Sequence, residues 1–282
     1  MAPSAILRGA GVDLAADIAG REGDPPVLLL HGGGQTRHSW GSAAAALADA
    51  GHRAITVDLR GHGHSNWSPD GDYRIERFAA DVVALSDGLG RLPALVGASL
   101  GGLAALVAVG ESERPIATSL VLVDIATRIE AEGRTKIQNF MRAGMRGFDT
   151  LDDAADSIAE YIPHRPRPTD LSGLRKNLRQ RGDGRWYWHW DPRWITNEDG
   201  VDGQRGLVNA ERLREAARRI EIPTLLVRGR MSDIVSDESV RELRELVPHA
   251  EVVDVSGAGH MVAGDKNDAF NSAVLDFVRR AG

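Results

Sequence analysis

Five consecutive residues, Gly97-Ala98-Ser99-Leu100-Gly101, have the form G-x-S-x-G, and they stand between an apolar run and a helical run. A strand that turns sharply into a helix holds a serine strained and exposed, and the free N–H groups of the helix put partial positive charge beside it. Those conditions suit a nucleophile. Small residues at 97, 98, 101 and 102 let the backbone pass close by. A serine also needs a base. His260 follows the last apolar run in Ser256-Gly257-Ala258-Gly259-His260-Met261, where a glycine-rich loop can hold an imidazole at the end of a strand. The base in turn needs an orienting carboxylate. Asp233, in Arg228-Gly229-Arg230-Met231-Ser232-Asp233, leaves a strand through Gly229 with room to reach back to His260; the alternative acid is Asp124, directly after another apolar run. Ser99, Asp233 and His260 give the chain order nucleophile, acid, base. Finally, His31-Gly32-Gly33-Gly34 can aim backbone N–H groups into a cavity, so that Gly33 and Leu100 are the expected donors to an oxyanion.

The elements that must position these groups are legible as short runs. Val27–Leu30, Ala54–Val57, Ala94–Ala98, Leu120–Val123, Thr224–Val227 and Glu251–Val255 are apolar or β-branched, mostly without alternation, and each leads into a turn rich in small or polar residues. Such runs suit strands buried on both faces. Helical patterns lie between several of them, at Ala43–Ala50, Ile75–Leu89, Leu103–Val109, Glu238–Leu246 and Ala269–Arg279. The alternation predicts a mostly parallel sheet covered on both faces by helices, with function on the loops at the carboxyl ends of its strands.

The alternation lapses between about Thr127 and Arg219, a mostly helical segment that carries four of the six tryptophans, Trp186, Trp188, Trp190 and Trp194. An insertion of this size between two strands reads as a lid over one sheet edge. The tryptophans serve equally as its packing anchors or as an apolar pocket wall. The expected pocket lining is Gly34, Trp186, Trp188, His189, Trp190 and Met261. Arg175, Arg179 and Arg181 are read as solvated helix-face residues rather than holders of a substrate carboxylate. Asp58–Ser65 (DLRGHGHS) reads as a structural turn whose Asp and Arg brace neighbouring loops. His62 and His64 have H-x-H spacing but no accompanying cluster of ligands, so no metal site is expected.

Composition narrows the classes. The chain has 282 residues, enough for one large domain or two small ones, and 42% hydrophobic with 26% charged residues is ordinary for a folded protein. It has no cysteine, hence no disulfide and no thiolate metal site. A net charge of −6 offers no overall attraction to nucleic acid. The first twenty residues lack a basic start followed by an apolar core, and no run approaches the roughly 20 apolar residues that span a bilayer. A soluble, cytoplasmic protein with no membrane partner is expected.

Taken together, HGGG at 31–34, DLRGHGHS at 58–65, GASLGG at 97–102, RGRMSD at 228–233 and GAGH at 257–260 resemble the α/β-hydrolase superfamily in order and spacing. The resemblance covers nearly the whole chain outside about 127–219. It implies an α/β-hydrolase core at 1–126 and 220–282, a mobile, mainly helical cap at 127–219, and Gly33 as an oxyanion amide. Ser99 excludes the branches whose nucleophile is Asp, the epoxide hydrolases and haloalkane dehalogenases. The expected function is hydrolysis of a small carboxylic ester or lactone through an acyl-enzyme, with a small-molecule substrate and no cofactor or metal. The alternatives are a C–C bond hydrolase of a ring-cleavage diketone acid using the same triad, and a receptor-like ligand-binding member with slow turnover. Oligomeric state is not encoded in these features.

Overall fold

An apolar run without alternation must bury both faces of its strand, and the sheet does this. The computed structural model describes residues 2–163, 165–196, 209–262 and 267–281. The strands are β1 (Ala5–Arg8), β2 (Asp13–Ala19), β3 (Pro26–Leu30), β4 (Arg53–Val57), β5 (Ala94–Ala98) and β6 (Ser119–Val123), then β7 (Leu178–Gln180), β8 (Trp186–Trp188), β9 (Thr224–Gly229) and β10 (Glu251–Val255). Eight of them form one sheet in the order β1-β2-β4-β3-β5-β6-β9-β10; β7 and β8 pair separately. From β4 to β10 the neighbours are parallel, while β1/β2 and β2/β4 are antiparallel. The six runs read from the sequence are the parallel strands. The edge pair β1–β2 is an addition, built from the four-residue AILR and from DLAADIA, whose alanines give little hydrophobic contrast to read.

The helices are α1 (Gly41–Asp49), α2 (Ile75–Gly88), α3 (Leu100–Glu111), α4 (Ala131–Gly144), α5 (Leu151–Tyr161), α6 (Arg193–Thr196), α7 (Ala210–Arg218), α8 (Asp237–Leu246) and α9 (Asn267–Ala281). Successive strand residues supply opposite cores, as the period of two requires. Leu28, Leu30, Ile55, Val57 and Leu95 pack with Phe78, Val82, Leu106 and Leu243 on the α2/α3/α8 side. Val27, Leu29, Ala54, Val96 and Leu225 pack with Leu47, Phe270 and Phe277 on the α1/α9 side.

Residues 127–219 hold α4, α5, a 3₁₀ turn at Ser172–Lys176, the β7–β8 hairpin and α6, followed by α7. α7 packs on α3 rather than over the sheet edge: a methyl group on Gly110 of α3 would lie 2.5 Å from the Ala216 carbonyl carbon of α7. The remainder is bound to the loop after β4. His62 forms a β-bridge with Trp190. Gly63 N–H donates to His189 O at 2.7 Å, and Asp191 N–H donates to Gly61 O at 2.8 Å. The Tyr73 hydroxyl donates to Asp191 Oδ2 at 2.6 Å.

α3 begins at Leu100, three residues earlier than its apolar pattern suggests, directly after Ser99. It is buried all round, which suits a helix clasped between sheet, α2 and α7. Its first turn lies against β3, and a methyl group on Gly101 would meet the backbone of Leu30, 2.6 Å from the carbonyl carbon. Gly101→Ala should therefore destabilise by about 3 kcal/mol, as forced overpacking does. Gly23→Ala, with open space around the new methyl, should change stability by less than about 1 kcal/mol. Urea denaturation of the two variants measures the contrast, and equal midpoints would refute the tight elbow.

Candidate active site

Ser99 has φ 45° and ψ −114°, between β5 and α3, the strained turn expected for an exposed nucleophile. Asp124 has φ 48° at the same level of the neighbouring strand. The register explains the pairing: Ala98 lies opposite Val123, so Ser99 and Asp124 each stand one residue beyond the last paired position of β5 and β6. His260 arrives from the loop after β10, and its Nδ1 donates to Asp124 Oδ2 at 2.8 Å. With Nδ1 used as donor, Nε2 carries the lone pair. Ser99 and His260 line one cavity of about 1020 Å³.

The carboxylate on His260 is thus Asp124, and the expectation for Asp233 is corrected. Asp233 lies with Lys136 Nζ at 3.2 Å, and its side chain is 38% exposed. The reason is a turn. Ser232 Oγ accepts the N–H groups of Ile234 and Val235, both at 3.1 Å, and donates to Asp124 Oδ2 at 2.5 Å. The turn directs residue 232 inward and residue 233 out toward α4. Gly229 N–H completes the set by donating to Asp124 Oδ1 at 3.0 Å. Asp124 is fully buried with three donors on its two oxygens.

The glycine loop after β3 is held by two buried histidines. Leu59 N–H donates to His31 Nε2 at 3.0 Å, which leaves Nδ1 to donate to Gly32 O at 2.7 Å. Gly34 N–H donates to His62 Nε2 at 3.1 Å, and His62 Nδ1 donates to Arg60 O at 3.0 Å. Each imidazole serves once as donor and once as acceptor, which requires the neutral form. Burial lowers the pKa of His31, and burial with the nearby His31 lowers that of His62 to about 3. Gly32 N–H is bound to Gln35 Oε1 at 3.1 Å. Among the described residues the N–H groups of Gly33 and Leu100 have no protein acceptor. A methyl on Gly32 would lie 3.4 Å from Ser99 Cβ, so the loop passes beside the serine.

His62 and His64 diverge. His64 Nδ1 lies 3.2 Å from Arg37 Nη1, and among the described residues no group of side chains could hold a metal ion. The DLRGHGHS turn braces its surroundings as expected: Asp58 pairs with Arg37 at 2.7 Å, and Arg60 with Asp81 at 2.6 Å, all four buried. The part that sequence reading missed is His62 as anchor of the glycine loop; its only sequence signal was an imidazole within a glycine-rich turn.

Gly34, Trp188 and Met261 line the cavity, as expected. Trp186, His189 and Trp190 do not, which corrects that part of the expectation. Trp186 lies under the Arg175 guanidinium, His189 against the His64 ring, and Trp190 against Trp194. Trp194 instead takes the place beside the glycine loop: a methyl on Gly33 would sit 2.5 Å from its Cη2. Arg181 lies over the Tyr187 ring, and Arg179 donates to Gly63 O at 3.3 Å, on and beside the hairpin rather than on a helix face.

A family model described as the alpha/beta hydrolase fold matches residues 25–266. The esterase Rv0045c of Mycobacterium tuberculosis is 31% identical over 267 residues, spanning 90% of this chain and 82% of the esterase. The mouse sn-1-specific diacylglycerol lipase ABHD11 is 30% identical over 263 residues, spanning 90% of this chain and 81% of the lipase. Among solved structures, an E-2-(acetamidomethylene)succinate hydrolase superposes with a TM-score of 0.84 at 25% identity, covering 98% of both chains. Among the described residues no helix is long and apolar enough to cross a membrane.

The neutral buried histidines make stability depend on pH. His62 and His189 are held near 3, whereas an unfolded histidine keeps its ordinary value of 6.5. Between those values the unfolded chain binds protons that the folded chain refuses, so stability is full above 6.5 and falls as pH drops toward 3. His62→Gln should shallow that slope by about one proton. Urea midpoints measured across this range test it; an unchanged slope would overturn the assignment.

Proposed function

Because the chain belongs to the α/β-hydrolase family, we propose that this enzyme is a serine hydrolase cleaving a carboxylic ester or lactone through an acyl-enzyme. The observation that carries the reading is the Asp124–His260 hydrogen bond in the cavity that Ser99 also lines. In this reading His260 Nε2 removes the Ser99 proton as Oγ attacks the acyl carbon. Asp124 holds the imidazole in the tautomer with Nδ1 protonated and stabilises its cationic form. The N–H groups of Gly33 and Leu100 donate to the developing oxyanion, each contributing about 3 kcal/mol. The imidazolium then protonates the departing alcohol. Water, deprotonated by His260, attacks the acyl-enzyme and frees the acid. In a lactone the departing alcohol stays tethered to the acid, and the proton transfers are the same.

The cavity walls favour an apolar acyl group. Ile129, Ile137, Phe140, Ile158 and Ile162 all line it, and no chemistry is asked of them beyond exclusion of water. Ester-cleaving relatives support this bond type over the C–C alternative and over a ligand receptor. We propose a small-molecule ester as the substrate.

Purified protein with p-nitrophenyl acyl esters provides the test. Ser99→Ala and His260→Ala should lower kcat by several orders of magnitude, and Asp124→Asn by about four. Asp233→Asn should stay within a few-fold of the native enzyme. A severe Asp233→Asn defect with a mild Asp124→Asn would reverse the choice of acid. Ser232→Ala should cost about ten-fold, the loss of roughly one hydrogen bond to a charged group. Ser232→Thr, which keeps the hydroxyl, should recover most of that loss.

A further inference from the structure

The cavity is charged in a way its chain is not. The sequence carries six more acidic than basic residues, yet among the described residues the cavity lining includes two guanidiniums, Arg134 and Arg165, and no carboxylate. Arg134 is an exposed part of this lining and, among the described residues, makes no ion pair. Two acids beside that helix turn are already matched: Glu130 pairs with Arg128 at 3.3 Å and accepts the Ser236 hydroxyl, and Asp233 is engaged elsewhere. Gly133 packs against the Asp233 backbone, and the Asp233 carboxylate is paired with Lys136 at 3.2 Å.

α4 also supplies a ruler. Arg134, Ile137, Gln138 and Met141 line the cavity at intervals of three, four and seven from Arg134, the spacing of one helix face. Met141 stands at the catalytic end: a methyl on Gly34 would lie 2.7 Å from its Cε. At 1.5 Å per residue, the base of Arg134 is then about 10 Å further along the axis. Between the two ends the walls are the isoleucines 129, 137, 158 and 162. A guanidinium binds carboxylate and phosphate oxygens in a fork of parallel hydrogen bonds.

Resting on the ester-hydrolase reading above, we propose that the substrate's acyl chain ends in an anionic group, and that Arg134 is the specificity residue that binds it. The ester carbonyl sits in the oxyanion loop, the apolar chain runs along α4, and the terminal anion meets the guanidinium. A neutral ester of the same length fills the cavity but leaves Arg134 with water.

The test compares two esters that differ only at the far end, monomethyl octanedioate and methyl octanoate. The native enzyme should favour the diacid monoester by about ten-fold in kcat/KM, the worth of one charge-assisted pair. Arg134→Gln should collapse that ratio toward one, and high salt should shrink it in the native enzyme. Monomethyl octylphosphonate in place of the diacid monoester is not a hydrolysable equivalent, so an ω-phosphono octanoate methyl ester reports whether phosphate is accepted as well as carboxylate. Equal rates for acid-ended, phosphono-ended and neutral esters in the native enzyme, or an unchanged ratio in Arg134→Gln, would overturn the proposal while leaving ester hydrolysis standing. If none of the esters turns over, hydrolysis is the failed reading, and calorimetric binding of the same esters to Ser99→Ala decides the specificity. Preference for the anionic ester that Arg134→Gln removes supports the subsite, and equal binding refutes it.

Discussion

A fully buried carboxylate organises this end of the sheet. Asp124 takes Gly229 N–H on one oxygen and Ser232 Oγ and His260 Nδ1 on the other, so it binds the ends of β9 and β10 to the end of β6. A carboxylate out of water is tolerated only when such donors replace its hydration. The dependence is mutual. The three donors fix the carboxylate, and the carboxylate fixes the turn at Ser232 and the orientation of the imidazole. Ser232 can serve only this way, because its lone pairs are already taken by the N–H groups of Ile234 and Val235 and its proton has Asp124 as acceptor.

The same logic recurs under the glycine loop. An N–H aimed at a developing oxyanion must not be spent elsewhere, yet its neighbours must be held or the loop would adopt many conformations. Here the flanking amides of Gly32 and Gly34 are tied to Gln35 and His62, and the amide between them is left over. Neutral imidazoles suit that task, since each offers one donor and one acceptor without placing a charge beside the glycine loop. The cost appears elsewhere, as buried histidines that resist protonation and make the fold acid-sensitive.

How much of this was legible follows from which signals are local. The six parallel strands, Ser99 and His260 were readable because a buried strand and a glycine-flanked turn each leave a contiguous mark. The choice between Asp124 and Asp233 was not, because it turns on side-chain direction: residues 232 and 233 are adjacent, and a turn stabilised by a serine hydroxyl sends one inward and the other to Lys136. The pocket tryptophans failed for a different reason: Trp186 and Trp188 share one face of a short strand, and position along it decides, Trp188 lining the cavity while Trp186 lies under Arg175. The β1–β2 edge escaped because alanine carries little contrast between core and surface.

The insertion is fastened unequally. Residues 189–191 are joined by backbone hydrogen bonds and a β-bridge to the turn at 61–63, the same turn whose His62 holds the glycine loop. Trp194, four residues beyond the bridge, then packs its ring on both His62 and Gly33. This edge of the insertion therefore acts as a fixed wall beside the glycine loop. α4 is attached differently: Gly133 packs on the backbone of Asp233 and on Ile234, Met141 is buried beside Gly34, and Lys136 adds one partly exposed ion pair, which contributes at most about 1 kcal/mol. The insertion thus meets the glycine loop at two points, Trp194 at Gly33 and Met141 at Gly34, and the loop is held by that packing as well as by Gln35 and His62.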